Sequence, residues 1–163
     1  LVYVINGQSM SELQPVFKAC HTDTNFEKLF LKSVQYAVYA QTQHSTAIPL
    51  AEALLDIELS QHQIQPKQTR LFIFSNFLQN SQNLSFAQST DLKAAINQFK
   101  LSRLGGVQRP TFINTTAYLH IIPPAQLTEN LLNIRDGFWI WFFGDMRGDR
   151  RAYGLERHDL PGS

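Results

Sequence analysis

Two short apolar runs limit what this chain can fold into. Leu71-Phe72-Ile73-Phe74 and the stretch 115–122 (Thr-Thr-Ala-Tyr-Leu-His-Ile-Ile) are too short for core helices. They are also rich in the aromatic and β-branched residues that suit a pleated sheet. Between them, Leu92, Ala95, Ile96 and Phe99 recur at helical spacing, preceded by the capping residues Ser89-Thr90-Asp91 and followed by Gly105-Gly106. Two strands joined through a helix run parallel, because a tight hairpin cannot return the chain to the same edge. The chain is therefore expected to be an α/β protein with a mainly parallel sheet.

The rest of the sequence repeats the alternation. Residues 1–5 (Leu-Val-Tyr-Val-Ile) read as a strand buried on both faces, ended by Asn6-Gly7. Residues 9–23 show no period and read as a loop. Thr24 or Asn25 caps a helix carrying Phe26, Leu29, Phe30, Ser33, Val34, Ala37 and Val38 on one stripe. A polar break at 41–46 precedes a second helix with Pro49 in its first turn, where a missing N–H costs little. Its apolar face is Leu50, Ala53, Leu54 and Ile57, and Glu52 and Asp56, four apart, read as a solvated face. Residues 77–88 read as a loop. A last helix is expected from about Pro124 or Ala125 to Phe143, and 153–158 are expected to form a closing strand. Trp139 and Trp141, two apart on that helix, face different ways, one onto the sheet and the other beneath the C-terminal tail.

The order β, α, α, β, α, β, α, β fits one domain over residues 1–163. Because the chain opens inside a strand-like run, a first strand is expected upstream of Leu1. The longest apolar run, residues 138–143, is a core helix segment rather than a membrane span. A net charge of +1 supplies no general field for nucleic acid, and the arginines at 147, 150, 151 and 157 are interrupted by acids. The lone cysteine, Cys20, reads as a buried structural residue and fits a reducing, cytoplasmic compartment. The five histidines have no metal-ligand spacing, and His120 reads as a core or strand-edge residue. No nucleophile elbow or phosphate-cradling glycine loop occurs.

Residues 71–81, Leu-Phe-Ile-Phe-Ser-Asn-Phe-Leu-Gln-Asn-Ser, resemble a buried strand and following turn found in bacterial proteins similar to von Willebrand factor type A domains. Similar landmarks are Pro15-Val16-Phe17-Lys18-Ala19-Cys20, Ile48-Pro49-Leu50-Ala51-Glu52-Ala53-Leu54, and an aromatic last helix ending near Leu160-Pro161-Gly162. The resemblance implies a doubly wound, Rossmann-like sheet with helices on both faces and ligands at the carboxyl ends of the strands. Such domains often hold Mg²⁺ or Mn²⁺ there, on an Asp-x-Ser/Thr-x-Ser turn, a Thr and a second Asp. This chain lacks the first motif, has Asn76 in place of the second Asp, and places Ala47, with Thr46 and Ser45 beside it, at the Thr position.

The resemblance implies a non-catalytic protein-interaction module with a degenerate metal-ion-dependent adhesion site. The expected partner-binding residues are Ser75, Asn76, Gln79, Asn80, Ser45 and Thr46, in loops spanning residues 6–9, 45–46 and 75–81. No cofactor is expected. Asn76 and Thr46 are the weak metal candidates should Mg²⁺ or Mn²⁺ bind. The alternative is a Mg²⁺- or Mn²⁺-dependent hydrolase whose acidic ligands lie upstream of Leu1.

Overall fold

The computed structural model describes residues 24–41, 47–62, 67–111, 115–122, 126–144 and 155–159. In chain order these form α1 (Phe26–Gln41), α2 (Leu50–His62), β1 (Thr69–Ser75), α3 (Leu92–Ser102), β2 (Thr115–Ile121), α4 (Glu129–Phe143) and β3 (Leu155–Asp159). A single 3-10 turn, Phe86–Gln88, sits in the long connection after β1. The expected strand at 1–5, Cys20, residues 42–46 and the arginines at 147–151 lie outside the described residues.

The sheet is parallel throughout the described strands, in the order β1-β2-β3. Thr69 pairs with Thr115 and Ser75 with Ile121, and Ala117 pairs with Leu155. The α/β architecture expected from the two apolar runs is therefore present, with α3 crossing from β1 to β2 and α4 from β2 to β3.

The helix boundaries follow local chemistry. Asp91 caps α3, its carboxylate accepting the Ala94 N–H at 2.8 Å. α4 begins later than the sequence suggests, because the Thr128 hydroxyl accepts the Leu131 N–H at 3.3 Å and fixes the start at Glu129. α2 runs against the strands. Ala51, at its start, donates to Gln79 beyond the carboxyl end of β1, while Glu58, near its end, accepts from the Thr111 hydroxyl at 2.8 Å just before β2.

The core fills one face of the sheet. Ile73, Ala117, Leu119 and Ile121 point into it and meet Leu50, Ala51, Leu54 and Leu55 of α2, Ala95 and Phe99 of α3, and the aromatic face of α4. Phe138 is its centre, edge-on to Phe86 (5.0 Å between ring centroids), Phe99 (5.5 Å) and Trp139 (5.3 Å). Edge-to-face pairs at these separations add attraction beyond simple burial. Both tryptophans are buried. Trp141 lies under Lys100 and Arg109, each cation within 5.6 Å of the ring, so described side chains cover it. The other sheet face carries Phe72 and Phe74, each 54% exposed.

α4 meets the start of α3 at Gly137, where an added Cβ would run into Cδ2 of Leu92 and press on its Cδ1 and Cγ. Alanine is the better helix former by roughly 1 kcal/mol, but overpacking at a tight contact costs about 1–3 kcal/mol. Gly137→Ala should therefore lower stability in the parent chain and raise it in a Leu92→Ala background. Denaturant midpoints of the four proteins in that cycle check the reversal of sign.

Candidate functional site at the carboxyl end of the strands

The connection leaving β1 is held by its own side chains. The Ser75 hydroxyl accepts the Phe77 N–H at 3.0 Å, and Asn76 Oδ1 accepts the Leu78 N–H at 2.9 Å. These successive side-chain turns force the backbone to reverse at once. Phe77 takes the cost, adopting φ 58° in the left-handed region where a bulky side chain is disfavoured. Its ring is buried edge-on against Trp139 (5.6 Å), and its carbonyl accepts the Trp139 indole N–H at 2.8 Å.

Two residues on, Gln79 turns inward and is 1% exposed. Its Oε1 accepts the Ala51 N–H at 2.9 Å, and its Nε2 donates to Glu52 Oε2 at 2.7 Å. The other Glu52 oxygen accepts the Ser81 hydroxyl at 2.6 Å and Asn83 Nδ2 at 3.4 Å. Glu52 is only 5% exposed, which overturns its reading as part of a solvated face. The sequence shows two carboxylates four apart on a helix. It does not show that the first turn of α2 meets a loop nearly 30 residues later. The charge sits in that first turn, where unpaired N–H groups favour an anion. A backbone pair between Ile48 and Asn80 (2.7 and 3.0 Å) completes the junction.

The structure thus brings Ser75, Asn76, Gln79 and Asn80 together on one loop, with unlike roles. Ser75 and Asn76 shape the turn, and Gln79 is a buried clamp. Both backbone groups of Asn80 bond to Ile48, while its neighbours Gln79 and Ser81 accept from Phe86 and donate to Leu84 across the turn. Ser45 and Thr46 lie outside the described residues, three and two positions before Ile48. Gln82 and Asn83 are exposed at the loop tip. Glu52 was missed from the sequence, and Phe77 and Ser81 lie inside the expected loop 75–81 without having been singled out. The only signal pointing to them is the polar run 79–83, whose donors need an acceptor once buried.

The described donors do not make a cage for Mg²⁺ or Mn²⁺. A hard dication seeks several oxygens with carboxylates among them. Asn76 Oδ1 is neutral and already accepts an N–H, and both Glu52 oxygens are engaged in a buried network. No group of three or more His, Cys, Asp or Glu suited to a metal occurs among the described residues. No helix there is long and apolar enough to cross a membrane. His120 lies on the sheet face opposite the described core, half-buried and stacked on Phe74 at 4.5 Å. Compared with known proteins, the chain matches no family model, no curated protein and no solved structure.

Glu52→Ala should cost about 2 kcal/mol, because Gln79 and Ser81 would be left as buried donors without their acceptor. Urea unfolding measures this as a lower midpoint at unchanged slope. The neighbouring Asp56 behaves oppositely. Burial raises its carboxyl above the usual value of 3.8, Arg103 opposes the rise and Glu52 adds to it. A raised pKa means the folded state holds its proton more tightly. The associated stability is complete below 3.8 and lost as pH rises through the folded value. Asp56→Asn should therefore raise the thermal midpoint at pH 7, and the gain should vanish when unfolding is followed below pH 3.8.

Proposed function

We propose that the chain is a protein-binding module of doubly wound, von Willebrand type A-like fold, which meets its partner through the loop after β1. The observation that carries this reading is the left-handed Phe77 at the carboxyl end of a parallel strand. A conformation costing on the order of 1–3 kcal/mol persists only where its surroundings fix it, and such strain gathers at binding sites. Here the Ser75 and Asn76 turns, the Trp139 hydrogen bond and the Glu52 clamp all hold it.

The rigid loop presents exposed Gln82 and Asn83 and half-buried Leu78 and Asn80 to solvent. Neutral amides with a small apolar contact suit a protein surface, where hydrogen bonds form at little desolvation cost compared with charges. A pre-shaped loop also loses little conformational entropy on binding. The fold reading is supported by parallel strands taken in sequence, with crossover helices packed in one core.

The test compares proteins retained by the immobilised full chain, by a Gln82→Ala/Asn83→Ala variant, and by a Lys93→Ala/Asn97→Ala control on the exposed side of α3. Quantitative mass spectrometry should find partners reduced at least about tenfold, or 1.4 kcal/mol, by the loop variant and kept by the control. Equal retention by both variants would sink the proposal.

A further inference from the structure

The turn that closes α3 holds its apolar side chains in solvent. Leu104, at 74%, is the most exposed large apolar side chain among the described residues, and Leu101 (64%) and Val107 (51%) stand three positions to either side. The turn is pinned by its own hydrogen bonds. The Lys100 carbonyl accepts the Arg103 N–H at 3.2 Å and Gln108 Nε2 at 3.4 Å, and Arg103 Nε donates to the Val107 carbonyl at 2.7 Å. Gly105 reverses the chain at φ 78°, in the region that glycine enters without strain, with open space where a Cβ would stand. The result is a fixed knob rather than a floppy end.

Charge around the knob is of one sign. Residues 92–128 contain no Asp or Glu, and Lys100 and Arg103 alternate with the two leucines. A helix joining two parallel strands returns the chain to their starting end, so the knob shares that end with exposed Lys67 and Arg70 at the entry to β1. Two acids of α2 reach the same end. Asp56 is half-buried and acts on Arg103, and Glu58 is buried and accepts from the Thr111 hydroxyl. Neither puts an exposed carboxylate beside the leucines.

These properties select among surfaces the knob could meet. Side chains this exposed have no walls around them, so they are not the floor of a groove that receives a partner's side chain. Single-stranded nucleic acid is held on stacking rings, and residues 100–108 contain no aromatic residue. A lipid interface suits both features at once. Its acyl region takes in leucine without a shaped pocket, and anionic headgroups attract lysine and arginine.

We propose that the knob at residues 100–107 docks on an anionic membrane surface, inserting Leu101, Leu104 and Val107 at the headgroup boundary with Lys100 and Arg103 beside the lipid phosphates. Lys67 and Arg70 add attraction along the same end of the sheet. Few side chains enter and the charges stay near water, so the contact is reversible and weakens as salt screens it. The loop after β1 lies at the opposite end of the strand and faces away from the lipid, so this docking is independent of the role assigned to that loop.

The test sediments the full chain with vesicles of phosphatidylcholine, alone or with about one-third phosphatidylserine. The chain should bind the anionic vesicles at least about tenfold more tightly than the neutral ones, and Leu101→Ser/Leu104→Ser should weaken that binding by a similar factor. Both leucines are exposed, so the variant should keep the parent's urea midpoint. In a second measurement, Leu104→Trp should shift its emission to shorter wavelength with anionic vesicles, and Lys93→Trp, on the exposed side of α3, should not. No binding to anionic vesicles, equal binding to neutral ones, unchanged binding by the serine variant or an unshifted Leu104→Trp would each overturn the proposal. Loss of single-stranded DNA binding in the serine variant with vesicle binding unchanged would overturn it in favour of nucleic acid.

Discussion

The hydrogen bond from the Trp139 indole N–H to the Phe77 carbonyl joins the two halves of the described core. It is buried, so breaking it would leave a donor and an acceptor in an apolar surrounding, a cost of about 1–3 kcal/mol per group. It also determines what the neighbouring elements must do. α4 must present an indole to the carboxyl end of β1, and the chain leaving β1 must turn its carbonyl inward. The Phe77 backbone reverses into the left-handed region to do so, and the Ser75 and Asn76 turns hold it there. The same reversal sends Gln79 towards α2 and its Glu52 carboxylate. The polar clamp and the aromatic core are thus two results of one local turn.

This arrangement accounts for the composition of α4. An amphipathic helix at a surface needs one apolar stripe, whereas Phe138, Trp139, Trp141, Phe142 and Phe143 are buried on several sides of α4. The helix is wedged between the sheet, α3 and the 3-10 turn after β1, and only Ile140 in its last turns is exposed. Trp141 packs on Phe99 while two cations lie over its ring. Lys100 is exposed and can lay its stem over the ring with its charge in water, whereas Nε and Nη2 of Arg109 are buried there.

Much of this was legible in the sequence, for identifiable reasons. The strands were readable because their residues favour the pleated sheet, and the parallel pairing followed from one helix between them. α3 was readable because Asp91, the Leu92–Phe99 stripe and the closing glycines agree. The start of α4 was misplaced because Pro124 can also open a helix, and only the Thr128 cap decides between them. Contacts between distant segments were the illegible part. Glu52 and Asp56 look alike in sequence, yet one is clamped by Gln79, Ser81 and Asn83 while the other is partly buried beside Arg103. Likewise Leu71-Phe72-Ile73-Phe74 is uniformly apolar, so its pattern could not tell which pair faces the core.

That ambiguity in β1 has a physical consequence for the site. Ile73 and Leu71 anchor the strand to the core face, while Phe72 and Phe74 stack with β2 residues on the other. Both sets of contacts hold β1 in register with β2, from Thr69 opposite Thr115 to Ser75 opposite Ile121. A slip of one residue would exchange the two faces and put Phe72 and Phe74 where Leu71 and Ile73 now fit. It would also carry Ser75 and Asn76 away from the position that turns Phe77 towards Trp139. The aromatic ladder on the face opposite the described core therefore helps to fix the loop at the end of the strand.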